Sequence, residues 1–82
     1  TTILRGQTSP ITINLQDSYL SEGSLFRIIN DTQMSVTIRG TSATTIIDLI
    51  NGAQDVNYCT IAPQEGSFNI VYDGTYAIVY KS

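Results

Sequence analysis

Apolar and polar residues alternate along much of this chain in short runs. Pro10–Leu15 sets Ile11, Ile13 and Leu15 against Thr12 and Asn14, and Met34–Arg39 sets Met34, Val36 and Ile38 against Ser35, Thr37 and Arg39. A period of two is the strand period, because successive side chains point to opposite faces. Ser24–Asn30 carries Leu25, Phe26, Ile28 and Ile29. Thr44–Asp48 is short, Val56–Ile61 is less regular, and Ser67–Tyr72 with Thr75–Tyr80 closes the chain. Turn residues interrupt these runs about every 8–12 residues, the all-β spacing. Ile supplies 12 residues and Thr 11, and both β-branched types favour a pleated surface. The pattern predicts an all-β fold: a small antiparallel β-sandwich or intertwined β-prism of about six to seven strands. Residues 1–9 read as a linker or an edge strand from a preceding domain, and 10–82 as a single β-domain. Residues 45–52 fit either a strand or a short helix, since Thr45 can cap, Ile46, Leu49 and Ile50 follow helical spacing, and Gly52 stops the run.

The sharpest local signal is Tyr72-Asp73-Gly74-Thr75. Asp-Gly between apolar runs predicts a two-residue type I′ hairpin, in which both central residues take positive φ. That register sets Tyr72 opposite Thr75, Val71 opposite Tyr76, and Phe68 opposite Val79. One face then holds Phe68, Ile70, Tyr72, Thr75, Ala77 and Val79, and the other Ser67, Asn69, Val71, Tyr76, Ile78 and Tyr80. Both faces are apolar, and an apolar face must be covered. A second cover within so short a chain is hard to find, which points to another copy of the chain or a neighbouring domain. The predicted self-contact residues are Phe68, Ile70, Tyr76, Ile78 and Tyr80. Glu22-Gly23-Ser24 before Leu25 echoes Glu65-Gly66-Ser67 before Phe68, and reads as a second hairpin.

Composition narrows the chemistry. The chain has 82 residues, 13% of them charged, with four basic and seven acidic residues for a net charge of −3. An ordinary domain has roughly twice that charged fraction, and an interface core is likewise poor in charge. Arg5, Arg27, Arg39 and Lys81 are too scattered to neutralise a phosphate backbone, so nucleic acid is not an expected partner. No apolar run approaches the length of a membrane span. There is no His and only one Cys, Cys59. That leaves no ligand set for a structural zinc, no Ser-His-Asp or Cys-His nucleophile and no internal disulfide. Cys59, in Val56-Asn57-Tyr58-Cys59-Thr60-Ile61, reads as a buried, inert thiol. Asp48 and Asp55 flank one loop as a glycosidase pair would, but read more simply as loop-solvating groups. Asn30-Asp31-Thr32 matches a glycosylation acceptor by chance. No metal, cofactor or enzymatic activity is expected.

Taken in order, Pro10-Ile11-Thr12-Ile13-Asn14-Leu15, Glu22 to Asp31, Ser35-Val36-Thr37-Ile38, Thr44-Thr45-Ile46-Ile47-Asp48, Thr60-Ile61-Ala62-Pro63 and Phe68 through Asp73-Gly74-Thr75-Tyr76 form a series of strands and turns. It resembles a small β-domain of tailed-phage tail fibre and tailspike proteins. The resemblance spans roughly residues 10–80. The glycine that such domains place after Ile-Asp is displaced here to Gly52, and Tyr76 stands where they often carry Trp. The resemblance implies a viral, homotrimeric domain near the host-binding end of a fibre, carried on the virion and made in the host cytoplasm. It implies host surface polysaccharide as a partner.

Any sugar contact belongs in the loops, because the strands are occupied by packing. Gln16-Asp17-Ser18-Tyr19 and Asn51 to Tyr58 join aromatic faces to acid and amide groups, the donors and acceptors that hydroxyls need. The candidates are Tyr19, Asp55, Asn57 and Tyr58. The competing readings are a monomeric carbohydrate-binding module attached to an enzyme, and a virion decoration or connector domain.

Overall fold

The computed structural model describes residues 1–82 apart from the side chain of Tyr19. The alternating segments form strands. They are β1 (Thr2–Arg5), β2 (Ile11–Asn14), β3 (Leu25–Asp31), β4 (Val36–Arg39), β5 (Thr45–Asp48), β6 (Ala53–Val56), β7 (Tyr58–Ile61), β8 (Phe68–Tyr72) and β9 (Tyr76–Lys81). Two short 3-10 turns, Asp17–Tyr19 and Pro63–Glu65, complete the order. Sheet A has six strands in the order β1-β3-β8-β9-β5-β6, and sheet B has three, β2-β4-β7.

The all-β architecture agrees with the pattern, with nine strands where about six to seven were expected. The excess comes from β1, an edge strand of sheet A, and from β6, which lies inside the segment read as a loop before Tyr58. Both sheets are mixed where alternation had suggested antiparallel pairing: β1–β3, β2–β4 and β5–β9 run parallel. Alternation reports which face is buried and carries no information on direction. Direction is set by the crossings from one sheet to the other, as where β3 in sheet A is followed by β4 in sheet B. For the same reason the segment after Glu22 is no hairpin. Instead β3 pairs antiparallel with its echo, β8. Residues 45–48 are strand, and 49–52 form the turn after it.

The β8–β9 hairpin forms, but two residues out of the expected register. Tyr72 faces Ala77, Val71 faces Ile78, and Ile70 faces Val79. The Asp73 carboxylate accepts the Thr75 and Tyr76 N–H groups at 2.8 and 2.6 Å, so the chain bends one residue later. The Asp73 N–H donates to the Tyr76 carbonyl. Gly74 has φ 99°, and Asp73 is not in the positive-φ region. Positive φ at the first central residue alone is the type II′ pattern, not type I′. A shift of two residues preserves the face of every side chain. The two-faced description of this hairpin therefore stands although its register does not.

The core lies between the sheets. Ile28, Phe68, Ile70, Ala77, Val79 and Ile46 come from sheet A, and Val36, Ile38, Cys59 and Ile61 from sheet B. On the outer face of sheet B, Thr12, Thr37 and Thr60 form one cross-strand row, and Asn14, Arg39 and Tyr58 the next. The outer face of sheet A differs. Leu25, Val71, Ile78 and Ile47 are consecutive partners across β3, β8, β9 and β5. Leu25, at the β3 end of this row, and Leu49, two residues beyond Ile47, are each 59% exposed.

Candidate functional site

Three predicted contact residues meet at one pole. The ends of β2 and β4 and the start of β7 are adjacent, with Asn14 paired to Arg39 and Arg39 to Tyr58. The Gly40 N–H donates to the Asn57 carbonyl at 2.8 Å. Gly40 is required by this approach, since a Cβ there would overlap the Thr44 carbonyl oxygen. Asp17 Oδ1 accepts the Thr41 and Thr44 hydroxyls at 2.8 and 3.3 Å, tying the Asp17 segment to the same loop. The Tyr19 side chain lies outside the described residues.

Asp55, Asn57 and Tyr58 line a cleft of about 520 Å³ with Asp48, Ala53, Val56, Cys59 and Thr60. It opens where β6 of one sheet passes into β7 of the other. Asp55 sits at a register shift between β5 and β6 with φ 55°, the left-handed region that Asp tolerates better than most residues. Its Oδ1 accepts the Thr45 hydroxyl at 2.7 Å. Asn57 is exposed. Tyr58 is 56% exposed, with the Arg39 guanidinium 5.5 Å from its ring centroid. That cation–π contact holds the ring against the sheet. Sequence reading missed Arg39 as a partner of Tyr58. Its place on the polar side of β4 was legible, but the pairing with β7 was not.

Asp48 departs from the solvated role expected of it. It is 1% exposed, and its Oδ1 accepts the Ile50 and Asn51 N–H groups at 3.0 and 3.1 Å. Its Oδ2 accepts Asn51 Nδ2 at 2.7 Å, and the same amide reaches the Thr60 carbonyl at 3.0 Å. The carboxylate thus builds the turn between β5 and β6. Cys59 is buried, and burial followed by the Asp48 charge pushes its thiol up to about 12. A protonated thiol is a poor nucleophile. Among the described residues no three His, Cys, Asp or Glu side chains group as a metal site, and no helix is long and apolar enough to cross a membrane.

The self-contact candidates divide by face. Phe68 and Ile70 are 0% and 1% exposed within the single chain, because their side of the hairpin lies under sheet B. They present no surface to another copy. Tyr76, Ile78 and Tyr80 are half-buried on the outer side. Leu25 and Ile47 extend that surface and were missed, because their neighbours are fixed only by pairing across the sheet. Asn30 is committed elsewhere: its amide donates to the Met34 carbonyl, and its Oδ1 accepts from the Thr32 N–H and hydroxyl. Comparison with protein-family models, curated proteins and solved structures found no match.

Proposed function

We propose that this chain is a non-catalytic module of a fibre-type virion protein, a phage tail fibre or tailspike, and that it homotrimerises through the outer face of sheet A. The observation that carries this reading is the apolar row Leu25–Val71–Ile78–Ile47, over which, among the described residues, no strand of either sheet is laid. Contiguous apolar patches on soluble chains mark interaction sites. The rim supports a second copy as the occupant. Exposed Arg27 stands on the β3 side and exposed Asp55 on the β6 side, so opposite charges flank the patch. Neither takes part in the ion pairs seen among the described residues, Arg5–Asp31 and Glu65–Lys81. A neighbour in a ring meets one rim with the other. The resemblance of the strand-and-turn series over residues 10–80 to tail-fibre and tailspike domains supplies the setting. Light scattering tests this reading. The expected mass is three times the 9.0 kDa chain. A single-chain species persisting at high micromolar concentration, or a dimer, overturns the trimer.

A second reading concerns the pole. The exposed Tyr58 ring, backed by Arg39 and flanked by Asp55 and Asn57, is suited to a weak contact with a neutral sugar. Repetition around a trimer would raise weak single-site binding through avidity. Glycan-array binding that survives Tyr58→Ala unchanged would remove this site. Glycan binding by a monomer would instead favour a carbohydrate-binding module.

A further inference from the structure

Three strands cannot cover six. With neighbouring strands about 4.8 Å apart, sheet B leaves the β1 side of sheet A overhanging. A cavity of about 270 Å³ opens there between the sheets. Leu4 on β1, Ile13 on β2 and Leu15 just after it, Phe26 and Ile28 on β3, and Ile70 on β8 wall it. Thr2 contributes the one polar residue of the wall. We propose that this gap is a binding site for a compact, uncharged hydrocarbon group, an aryl ring or the end of a short alkyl chain. This inference is independent of self-assembly through the opposite face of sheet A.

Volume and chemistry limit the occupant. At interior packing density the space holds about ten carbon atoms. Sealed apolar cavities of about 150 Å³ take benzene; this one is open on one side, so an occupant also displaces water from its apolar walls. An ionised or amide group placed inside would lose its hydration with only the Thr2 hydroxyl in compensation. A hydrocarbon loses no hydrogen bonds on entry and gains dispersion contacts that the cavity walls otherwise lack.

The test is a titration of the full chain, carrying labelled Leu and Ile methyl groups, with benzene and separately with 1-octanol. The expected result is a saturable shift confined to the methyls of Leu4, Ile13, Leu15, Ile28 and Ile70, with a rise in thermal midpoint. A response to benzene assigns the site to rings, a response to octanol to alkyl chains, and either supports it. Ile13→Phe and Leu4→Phe fill the gap from opposite walls, and each should weaken binding at least tenfold. Two substitutions are used so that failure of one to fold leaves the other informative. Silence to both probes at aqueous saturation overturns the proposal. So does an undiminished shift in a folded filled variant, or a response centred on Leu25, Ile47 and Ile78.

Discussion

The outer faces of the two sheets are built on the same pleat and end in opposite chemistry. Sheet B presents Thr12, Thr37 and Thr60 in one row and Asn14, Arg39 and Tyr58 in the next. Its threonines satisfy one another in part, with the Thr37 and Thr60 hydroxyls 3.1 Å apart. Sheet A presents Leu25, Val71, Ile78 and Ile47 in one row. The first is a face that water can finish, because every row offers hydroxyl, amide or guanidinium groups. The second is a face whose free energy falls when something apolar covers it. The contrast teaches that a short chain can solve the burial problem once, between its sheets, and leave a second apolar surface over. In sheet A that surplus lies on the strands that also supply the core, beside a row, Arg27–Asn69–Tyr80, that carries polar groups.

Substitutions on three faces break or sharpen this contrast. Phe68→Ala, on the inner face, should cost about 3–5 kcal/mol in denaturant unfolding. Ile78→Ala lies on the outer face of the same hairpin, and its cost should be a small fraction of that in dilute solution and grow with chain concentration. Equal costs at all concentrations would erase the distinction between the two faces. Ile78→Lys should abolish self-association while leaving the far-ultraviolet circular dichroism unchanged. Thr37→Lys on sheet B should leave the mass unaltered. A loss of mass in the Thr37 variant would move the interface to the wrong sheet.

A smaller effect is expected at the hairpin end. Gly74 has φ 99°, and a Cβ there meets the Glu22 side chain at 3.6 Å. Gly74→Val should destabilise by about 1–2 kcal/mol, chiefly through backbone strain. An unchanged unfolding midpoint would contradict the turn geometry that aligns both faces. Asp73 in the same turn is held below the usual carboxylate range by the N–H groups of Tyr76 and then Thr75. Its contribution is present above the ordinary value of 3.8 and is lost as pH falls through the folded value. Acid unfolding of Asp73→Asn should be shallower in that window.

The smallest effect at neutral pH is at Cys59. Burial, and then the Asp48 charge, pushes its thiol up to about 12 in the folded chain, from 9.0 for the ordinary group. The folded chain therefore holds the proton more tightly. Stability from this residue is intact below pH 9.0 and declines as pH rises towards 12. Cys59→Val should flatten the alkaline limb, and a thiol reagent at pH 8 should label Cys59 only after unfolding. Rapid labelling of the folded chain would place the thiol at the surface.

Much of the chain was legible because burial in a sheet writes a period of two into the sequence. The strands at 11–14, 36–39, 68–72 and 76–81, the apolar character of both hairpin faces and the buried Cys59 all follow from residue order. These depend on neighbours in sequence, or on the parity of a side chain along its own strand. Direction and partner do not. The parallel pairs, the two-residue shift at Asp73, and the junction of Arg39 with Tyr58 arise from crossings between sheets and from single hydrogen bonds at turns. The sequence alone marked Asp55, Asn57 and Tyr58 as polar and aromatic groups near a turn. Tertiary structure alone placed them in one cleft, buried Asp48 behind them, committed Phe68 and Ile70 to the core and left Leu25 and Ile78 outside it. Parity along a strand assigns a face, whereas which face meets the second sheet is decided by packing between residues far apart in the chain.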